Sequence, residues 1–273
     1  MLTNDRYHII NNFEMHPLPR ERSIRVYLPK GYYQFERTYP VIYMHDGQNL
    51  FDPSISYGGD TWQIPQAVDR LFDLDEGVIV VGIDNGAEFN GLCRMYEYSP
   101  WKMDQSFNLP DWDPSVYQSG GEGGHYIDFI VNTLKPYIDE MYLTKPERES
   151  TAIAGSSMGG LISLYGVMER PDIFSMAGVF SPAFWFNQPE MIAYLEQRRL
   201  DENIKVYMDM GTKESSGGSV DFENIYLDGS NKVNHLLEKK DRINLHYVVE
   251  EGAEHTESAW ARRFPDMLNF FYK

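Results

Sequence analysis

Short apolar runs alternate with longer amphipathic stretches along this chain, and the two periods separate strands from helices. Tyr7 to Phe13 and Ser23 to Leu28, the latter alternating as Ile24, Val26 and Leu28, predict antiparallel opening strands at a sheet edge, separated by Pro17 and Pro19. Pro40-Val41-Ile42-Tyr43-Met44 is continuously apolar, as a parallel strand covered on both faces requires, and Gly77 to Asp84 reads as the next such strand. Between them, Trp62, Ile64, Val68, Leu71 and Phe72 recur at helical spacing after a candidate N-cap at Asp60.

Further on, strand-like runs at Ser150 to Ala154, Met176 to Phe180, Val206 to Met210 and Leu245 to Val249 are interleaved with helix-like ones. The helices are expected at His125 to Tyr142 with a bend at Pro136, Leu161 to Glu169, Pro189 to Arg199, Ile225 to Lys240 and Trp260 to Tyr272. The alternation predicts an α/β fold with a mostly parallel central sheet, helices on both faces and sites at the carboxyl ends of the strands. No linker or repeat interrupts it, so residues 1–273 are expected to form one domain. Residues 87–124 break the pattern. Three prolines stand there among Tyr96, Tyr98, Trp101, Phe107, Trp112 and Tyr117, and that aromatic density predicts an ordered insertion rather than a disordered one.

The chemistry centres on Gly155-Ser156-Ser157-Met158-Gly159-Gly160, between a strand-like run and a helix-like one. In G-x-S-x-G the glycines let a sharp strand-to-helix turn form, so that Ser157 projects as a nucleophile and the Met158 amide faces a developing oxyanion. A serine hydroxyl needs a base, and the base needs a carboxylate to fix its tautomer. Of seven histidines, only His45 and His255 follow strands directly. The hydrolase order of nucleophile, acid, base selects His255 and leaves His45 beside the loop His45-Asp46-Gly47-Gln48-Asn49, whose Gln48 amide is the expected second oxyanion donor. The acid should follow Val206 to Met210. Glu214 is preferred there over Asp209, which lies within the strand, with Asp221 in reserve. Trp101, Trp112, Phe184, Trp185 and Phe186 are expected with His45 around the substrate, offering flat apolar faces to an acyl group or a sugar ring.

Composition narrows the partners. A formal charge of -17 and a pI near 4.8 exclude a sequence-independent grip on nucleic acid and disfavour polyanionic ligands. Cys93 is the sole cysteine, so neither an intrachain disulfide nor a thiolate cluster can form. Asp46 and Asp52 lack calcium-loop spacing, and no histidine pair suits zinc, so neither a metal nor another cofactor is expected. The polar opening Met1-Leu2-Thr3-Asn4-Asp5 and the lack of an apolar run near ~20 residues predict a cytoplasmic protein without a membrane partner.

The segments His45 to Asp52, Arg94 to Trp101 with Glu97-Tyr98-Ser99-Pro100 at its core, Gly155 to Gly160, Ser181 to Trp185, Gly211 to Glu214 and Glu254-His255 through Trp260 resemble the Putative esterase (esterase D-like) family of α/β-hydrolases. The likeness runs from about Arg22 to the end. It implies an α/β-hydrolase fold and a triad mapping onto Ser157, Glu214 and His255. It also implies ester hydrolysis of the feruloyl, acetyl-xylan, siderophore or formylglutathione kind, or the acyl transfer of the mycolyltransferases. Members acting on S-formylglutathione carry His just after the elbow glycines, where this chain has Leu161-Ile162. The sequence reading is therefore a serine carboxylesterase for neutral short-acyl or hydroxycinnamoyl esters. Acyl transfer to a sugar or alcohol and a non-catalytic binding module stand as alternatives.

Overall fold

The structure is a computed structural model that describes residues 5–89, 91–217 and 220–273. The opening residues Met1 to Asn4, position 90 of the expected insertion and positions 218 and 219 of the polar loop after Glu214 lie outside the described residues. β1 (Tyr7–Glu14) and β2 (Glu21–Tyr27) pair antiparallel, with Ile24 and Val26 fully buried, and β2 in turn pairs antiparallel with β4 (Ile79–Ile83). β3 (Val41–His45), β4, β5 (Thr151–Ser156), β6 (Met176–Phe180), β7 (Ile204–Lys213) and β8 (Ile243–Glu254) are mutually parallel, in the order β1-β2-β4-β3-β5-β6-β7-β8.

The continuous apolar runs are explained by two cores, one per face. Along β3, Val41 and Tyr43 enter one core while Ile42 and Met44 enter the other. The first core is covered by α4 (Gly123–Phe129), α5 (Lys135–Met141), α6 (Met158–Glu169), α7 (Gln188–Gln197) and α8 (Phe222–Leu237). The second is covered by α1 (Gln48–Phe51), α2 (Ile64–Leu71) and α9 (Glu257–Tyr272). No helix among the described residues is long and apolar enough to cross a membrane.

Several boundaries move, each for a local reason. α2 begins at Ile64 behind Gln63, not behind Asp60, because Pro65 fills the first turn where a missing N–H costs nothing. The bend expected at Pro136 is a π-helical turn over Ile130–Leu134: the Lys135 N–H reaches back five residues to the Ile130 carbonyl, and Pro136 opens α5. Residues 87–124 hold α3 (Cys93–Glu97) and a 3₁₀ turn at Pro114–Gln118, while positions 123 and 124 already belong to α4. A backbone bond from Met103 to Ser119 (3.0 Å) closes the insertion on itself, and one from Asp104 to Phe186 (2.8 Å) fastens it to the segment after β6.

β7 and β8 outrun their apolar cores. Their ladder continues through Gly211-Thr212-Lys213, expected as loop, to a last pair between Lys213 and Glu254. The next residue on each strand is Glu214 or His255, so register alone makes these two neighbours. Elsewhere, β5 lies beside β3, and β4 lies on β3's other side. The chain order reverses there, and the carboxyl ends of the strands at such a reversal are the usual place for a ligand in these sheets.

Candidate active site

Ser157 stands between β5 and α6 at φ 58, ψ -122, a left-handed conformation that costs a non-glycine residue about 1–3 kcal/mol. The neighbours enforce it. The Ser157 N–H donates to the Phe180 carbonyl at 2.9 Å, and the Ser157 carbonyl accepts from Ala183 at 3.0 Å and Leu161 at 3.1 Å. A Cβ on Gly155 would lie 2.9 Å from His45 Cδ2 and 3.1 Å from the Gly159 backbone, so the turn closes only with glycine there. Gly155→Ala is expected to destabilise the fold by about 1–3 kcal/mol, as overpacking does. Denaturant unfolding reads this as a lower midpoint at unchanged slope.

His255 Nδ1 donates to Glu214 Oε2 at 2.6 Å, and the Glu214 side chain is fully buried. The other carboxylate oxygen, Oε1, accepts from Ser181 Oγ at 2.6 Å and from the Gly211 N–H at 2.7 Å. Burial pushes the Glu214 carboxyl up, but the hydrogen bond and charge of His255, with Ser181 and Gly211, hold it below its ordinary value. The imidazole is packed between the Tyr226 ring, 4.8 Å away, and the Trp260 ring, 5.0 Å away and perpendicular. Asp221 is exposed at the start of α8 and bonds Asn224, out of this pairing. Asp209 points beneath the pair. It accepts from the Ser181 N–H at 3.1 Å and forms an ion pair with Arg263 at 3.1 Å, and burial pushes its carboxyl up to about 7 despite the Arg263 charge.

The Gln48 and Met158 amides open α1 and α6, and the first N–H groups of a helix have no partner within it. Gly47 admits no side chain, since a Cβ would meet the Gly82 backbone at 2.7 Å. The Gln48 side chain accepts from the Asn85 N–H at 3.1 Å. Asp46 is gripped at 2.8 Å by both Arg94 Nε and Nη2 and also by Asn85, and its N–H donates to the Tyr98 hydroxyl at 3.1 Å. Burial would raise the Asp46 carboxyl, but Arg94 and Asn85 bring it below its ordinary value. Glu97, fully buried, meets Arg22 at 2.6 Å and Arg20 at 2.9 Å. The Arg94 to Trp101 segment thus braces the loop after β3.

The expected pocket residues divide. His45 is 2 % exposed; its Nδ1 meets the Tyr126 hydroxyl at 2.9 Å, and burial pushes its pKa down to about 3. It is a neutral packing group behind the elbow, not part of an open pocket, because the glycines leave a space that the imidazole fills. Phe184 and Phe186 are likewise core: their places after β6 turn them inward, at 1 % and 0 % exposure. Trp101 leaves the site as well. It packs on Tyr165 (5.8 Å) and Tyr194 (5.5 Å) and lines a separate cavity of about 750 Å³ with Lys102, Asp104 and Glu190. Trp185 and Trp112 do come together, 5.9 Å apart and edge-on, in a cluster with Phe107, Phe222 and Tyr226.

Sequence reasoning missed Ser181, Tyr226, Trp260 and Arg263. Ser181 Oγ accepts from both Trp260 Nε1 and Arg263 Nη2 at 2.9 Å, and so joins α9 to the carboxylate of Glu214. Tyr226 had only a helical signal, its place four residues after Phe222 on the inward stripe of α8.

Comparison with known proteins agrees with this architecture. The model of the family described as Putative esterase matches residues 16–271. "Uncharacterized protein YbbA" of Bacillus subtilis is 26% identical over 255 residues, covering 92% of each chain. The "Siderophore triacetylfusarinine C esterase" of Aspergillus fumigatus is 26% identical over 184 residues, 64% of this chain and 56% of that one. The "Endo-1,4-beta-xylanase/feruloyl esterase" of Xylanibacter ruminicola is 21% identical over 262 residues, 92% of this chain but 29% of its own length. Among solved structures, an IroE-like serine hydrolase from Shewanella oneidensis superposes with a TM-score of 0.75 at 22% identity, covering 97% of this chain and 80% of that one. A ferulic acid esterase does so at 0.66 and 18%, covering 97% and 99%. The chain has the α/β-hydrolase fold and belongs to the Putative esterase family, the carboxylic ester hydrolases that its sheet, elbow and loop after β3 resemble.

Proposed function

We propose that this esterase works through an acyl-enzyme, with Ser157 as nucleophile, His255 as general base and acid, Glu214 as the group that orients the imidazole, and the Met158 and Gln48 amides as the oxyanion hole. The observation that carries the reading is the 2.6 Å bond from His255 Nδ1 to a buried Glu214. It fixes the proton on Nδ1 and leaves Nε2 to take the proton of Ser157. Ser157 Oγ attacks the ester carbonyl carbon while His255 removes its proton, and the carbonyl oxygen becomes an oxyanion facing the two amides. His255 then protonates the departing alkoxide as the C–O bond breaks. Water, deprotonated by His255, releases the acid and restores Ser157.

The preferred substrates in this reading are neutral short-acyl or hydroxycinnamoyl esters, carbohydrate-linked ones among them. Trp112, half-exposed and backed by the buried Trp185 and Phe222, offers flat contact, and Arg94 and Lys213 are already engaged, with Asp46 and Glu223. A ferric siderophore would bring more negative charge to a chain of -17. Relatives named as siderophore esterases make that the second reading, and one substrate panel separates the two. kcat/KM is expected to be higher for methyl ferulate and 4-nitrophenyl butyrate than for 4-nitrophenyl palmitate or ferric enterobactin. Trp112→Ala, at the half-exposed rim, should cost about tenfold on methyl ferulate, the worth of one aromatic contact of about 1.4 kcal/mol. Preferential cleavage of the ferric siderophore, or unchanged ferulate kinetics in Trp112→Ala, overturns the substrate assignment.

A further inference from the structure

Ser181 follows β6 in the left-handed region, at φ 39, and is fully buried. Its N–H is shared between the backbone carbonyl and the side-chain Oδ1 of Asp209, each at 3.1 Å. Its hydroxyl is bonded on every side. Trp260 Nε1 and Arg263 Nη2 each donate to Oγ at 2.9 Å, and Glu214 Oε1 lies 2.6 Å away. An indole N–H and a guanidinium can only donate, so together they take both lone pairs of the hydroxyl. The Ser181 proton is left one direction, toward Glu214 Oε1.

The same arrangement brings a full positive charge close to Glu214. Other carboxylates hold it back: Arg263 Nε is 3.1 Å from Asp209 Oδ2 and Nη1 is 3.3 Å from Glu250 Oε2, while Nη2 stays 3.9 Å from Glu214 Oε1. The Arg263, Asp209 and Glu214 side chains are buried, so water screens this field little. A guanidinium in contact with a carboxylate takes it up in strong charge-assisted bonds. Glu214 paired in that way would have less to give the imidazolium that forms on His255 when Ser157 attacks. A neutral hydroxyl placed between the two supplies a donor to Glu214 without the charge.

Resting on the reading of Ser157, His255 and Glu214 given above, we propose that Ser181 is a positioning residue of that triad: it holds Glu214 Oε1 so that Oε2 faces His255, and it keeps Arg263 off the carboxylate. Two elements make it rigid. β7 grips its backbone through Asp209, and α9 saturates its hydroxyl through Trp260 and Arg263. The Gly211 N–H, on Oε1 at 2.7 Å, shares the first task but not the second. Without the hydroxyl, Arg263 Nη2 loses its acceptor, and the guanidinium closes the 3.9 Å to Glu214 Oε1.

The test is Ser181→Ala, which removes the oxygen alone, beside Ser181→Gly, which also suits the positive φ. Two properties are measured: kcat and KM on 4-nitrophenyl acetate, and the proton NMR resonance of His255 Nδ1–H, which lies further downfield the stronger its bond to Glu214. In both variants kcat is expected to fall about 10- to 100-fold at nearly unchanged KM, the range for one hydrogen bond to a charged group. The resonance is expected to move upfield as Arg263 draws on the carboxylate. A resonance that stays in place or moves downfield overturns the proposal, as does an unchanged kcat. A loss in Ser181→Gly alone makes packing the cause and overturns it too. Labelling by a fluorophosphonate keeps a different failure apart. If native Ser157 does not label, the acyl-enzyme reading falls, and the resonance by itself still decides whether Ser181 positions Glu214.

Discussion

Ser157→Ala is expected to lower kcat on 4-nitrophenyl acetate by about 10⁴- to 10⁶-fold, close to what removal of the whole triad costs in serine hydrolases where this has been dissected. The reason lies in the turn. Three backbone hydrogen bonds, one donated to the Phe180 carbonyl and two accepted from Ala183 and Leu161, hold the Ser157 backbone at a strained φ of 58, so no neighbouring hydroxyl takes its place at the start of α6. Ser156 is buried in β5 on the other side of the strand's pleat, and Ser181 is already bonded to Glu214. The variant should fold as the native protein does, because alanine removes an oxygen and relieves no backbone strain. A fluorophosphonate probe followed by intact mass measurement checks both points. The native protein gains one adduct and the variant none; equal labelling of the two removes Ser157 as nucleophile.

Glu214→Gln is the second large effect, expected at about 10² to 10⁴ in kcat, by analogy with amide replacement of a triad carboxylate. Oε1 accepts two donors, Ser181 Oγ at 2.6 Å and the Gly211 N–H at 2.7 Å, so the amide oxygen of a glutamine is held in that position. The amide nitrogen must then face His255 Nδ1. Two donors cannot bond each other, so the imidazole moves its proton to Nε2 and loses the lone pair that takes the proton of Ser157. Asp221→Asn, at the exposed start of α8, is the comparison, with a change of less than about twofold expected, as for surface substitutions in general. Rates on one aryl ester decide between them, and the reverse ranking moves the acid to Asp221.

Much of the fold was legible because the buried strands carry unbroken apolar runs. Val41 to Met44 and Met176 to Phe180 could be read directly, since helices cover both faces of the sheet and no polar position is needed. The ends of β7 and β8 were not legible. Gly211-Thr212-Lys213 has loop composition, and only its pairing with Glu250 to Glu254, through a register shift between Gly211 and Lys213, makes it strand. Tertiary pairing of this kind leaves no local trace. The proposed nucleophile and oxyanion loops announce themselves by glycine, because close backbone approach is a local demand. The inward side of the site did not: Phe184 and Phe186 look like candidates for a substrate wall as much as Trp185 does, and which aromatic turns inward depends on the 3₁₀ turn at Phe184–Phe186 and on what α8 places opposite. Tyr226, Arg263 and Trp260 sit on helices whose periodicity says only which side is buried. His45 is the clearest correction. A histidine after a strand suggests chemistry, whereas here its burial against Gly155 and Tyr126 makes it a wedge.

The last rung of the ladder between β7 and β8 separates two jobs that share one stretch of chain. Lys213 pairs with Glu254, so the register of β8 on β7 brings Glu214 and His255 together. The segment after Glu214 leaves the carboxyl end of β7, sets Phe222 of α8 against Trp112 and Trp185, and crosses to the amino end of β8 at Ile243. The loop after Glu214 can change in length without altering the contact of the proposed acid and base, because that contact is set by strand register. For a designer this is the natural graft point. For a lineage of enzymes it is where new ester preferences can be acquired while the proton-transfer machinery is inherited unchanged.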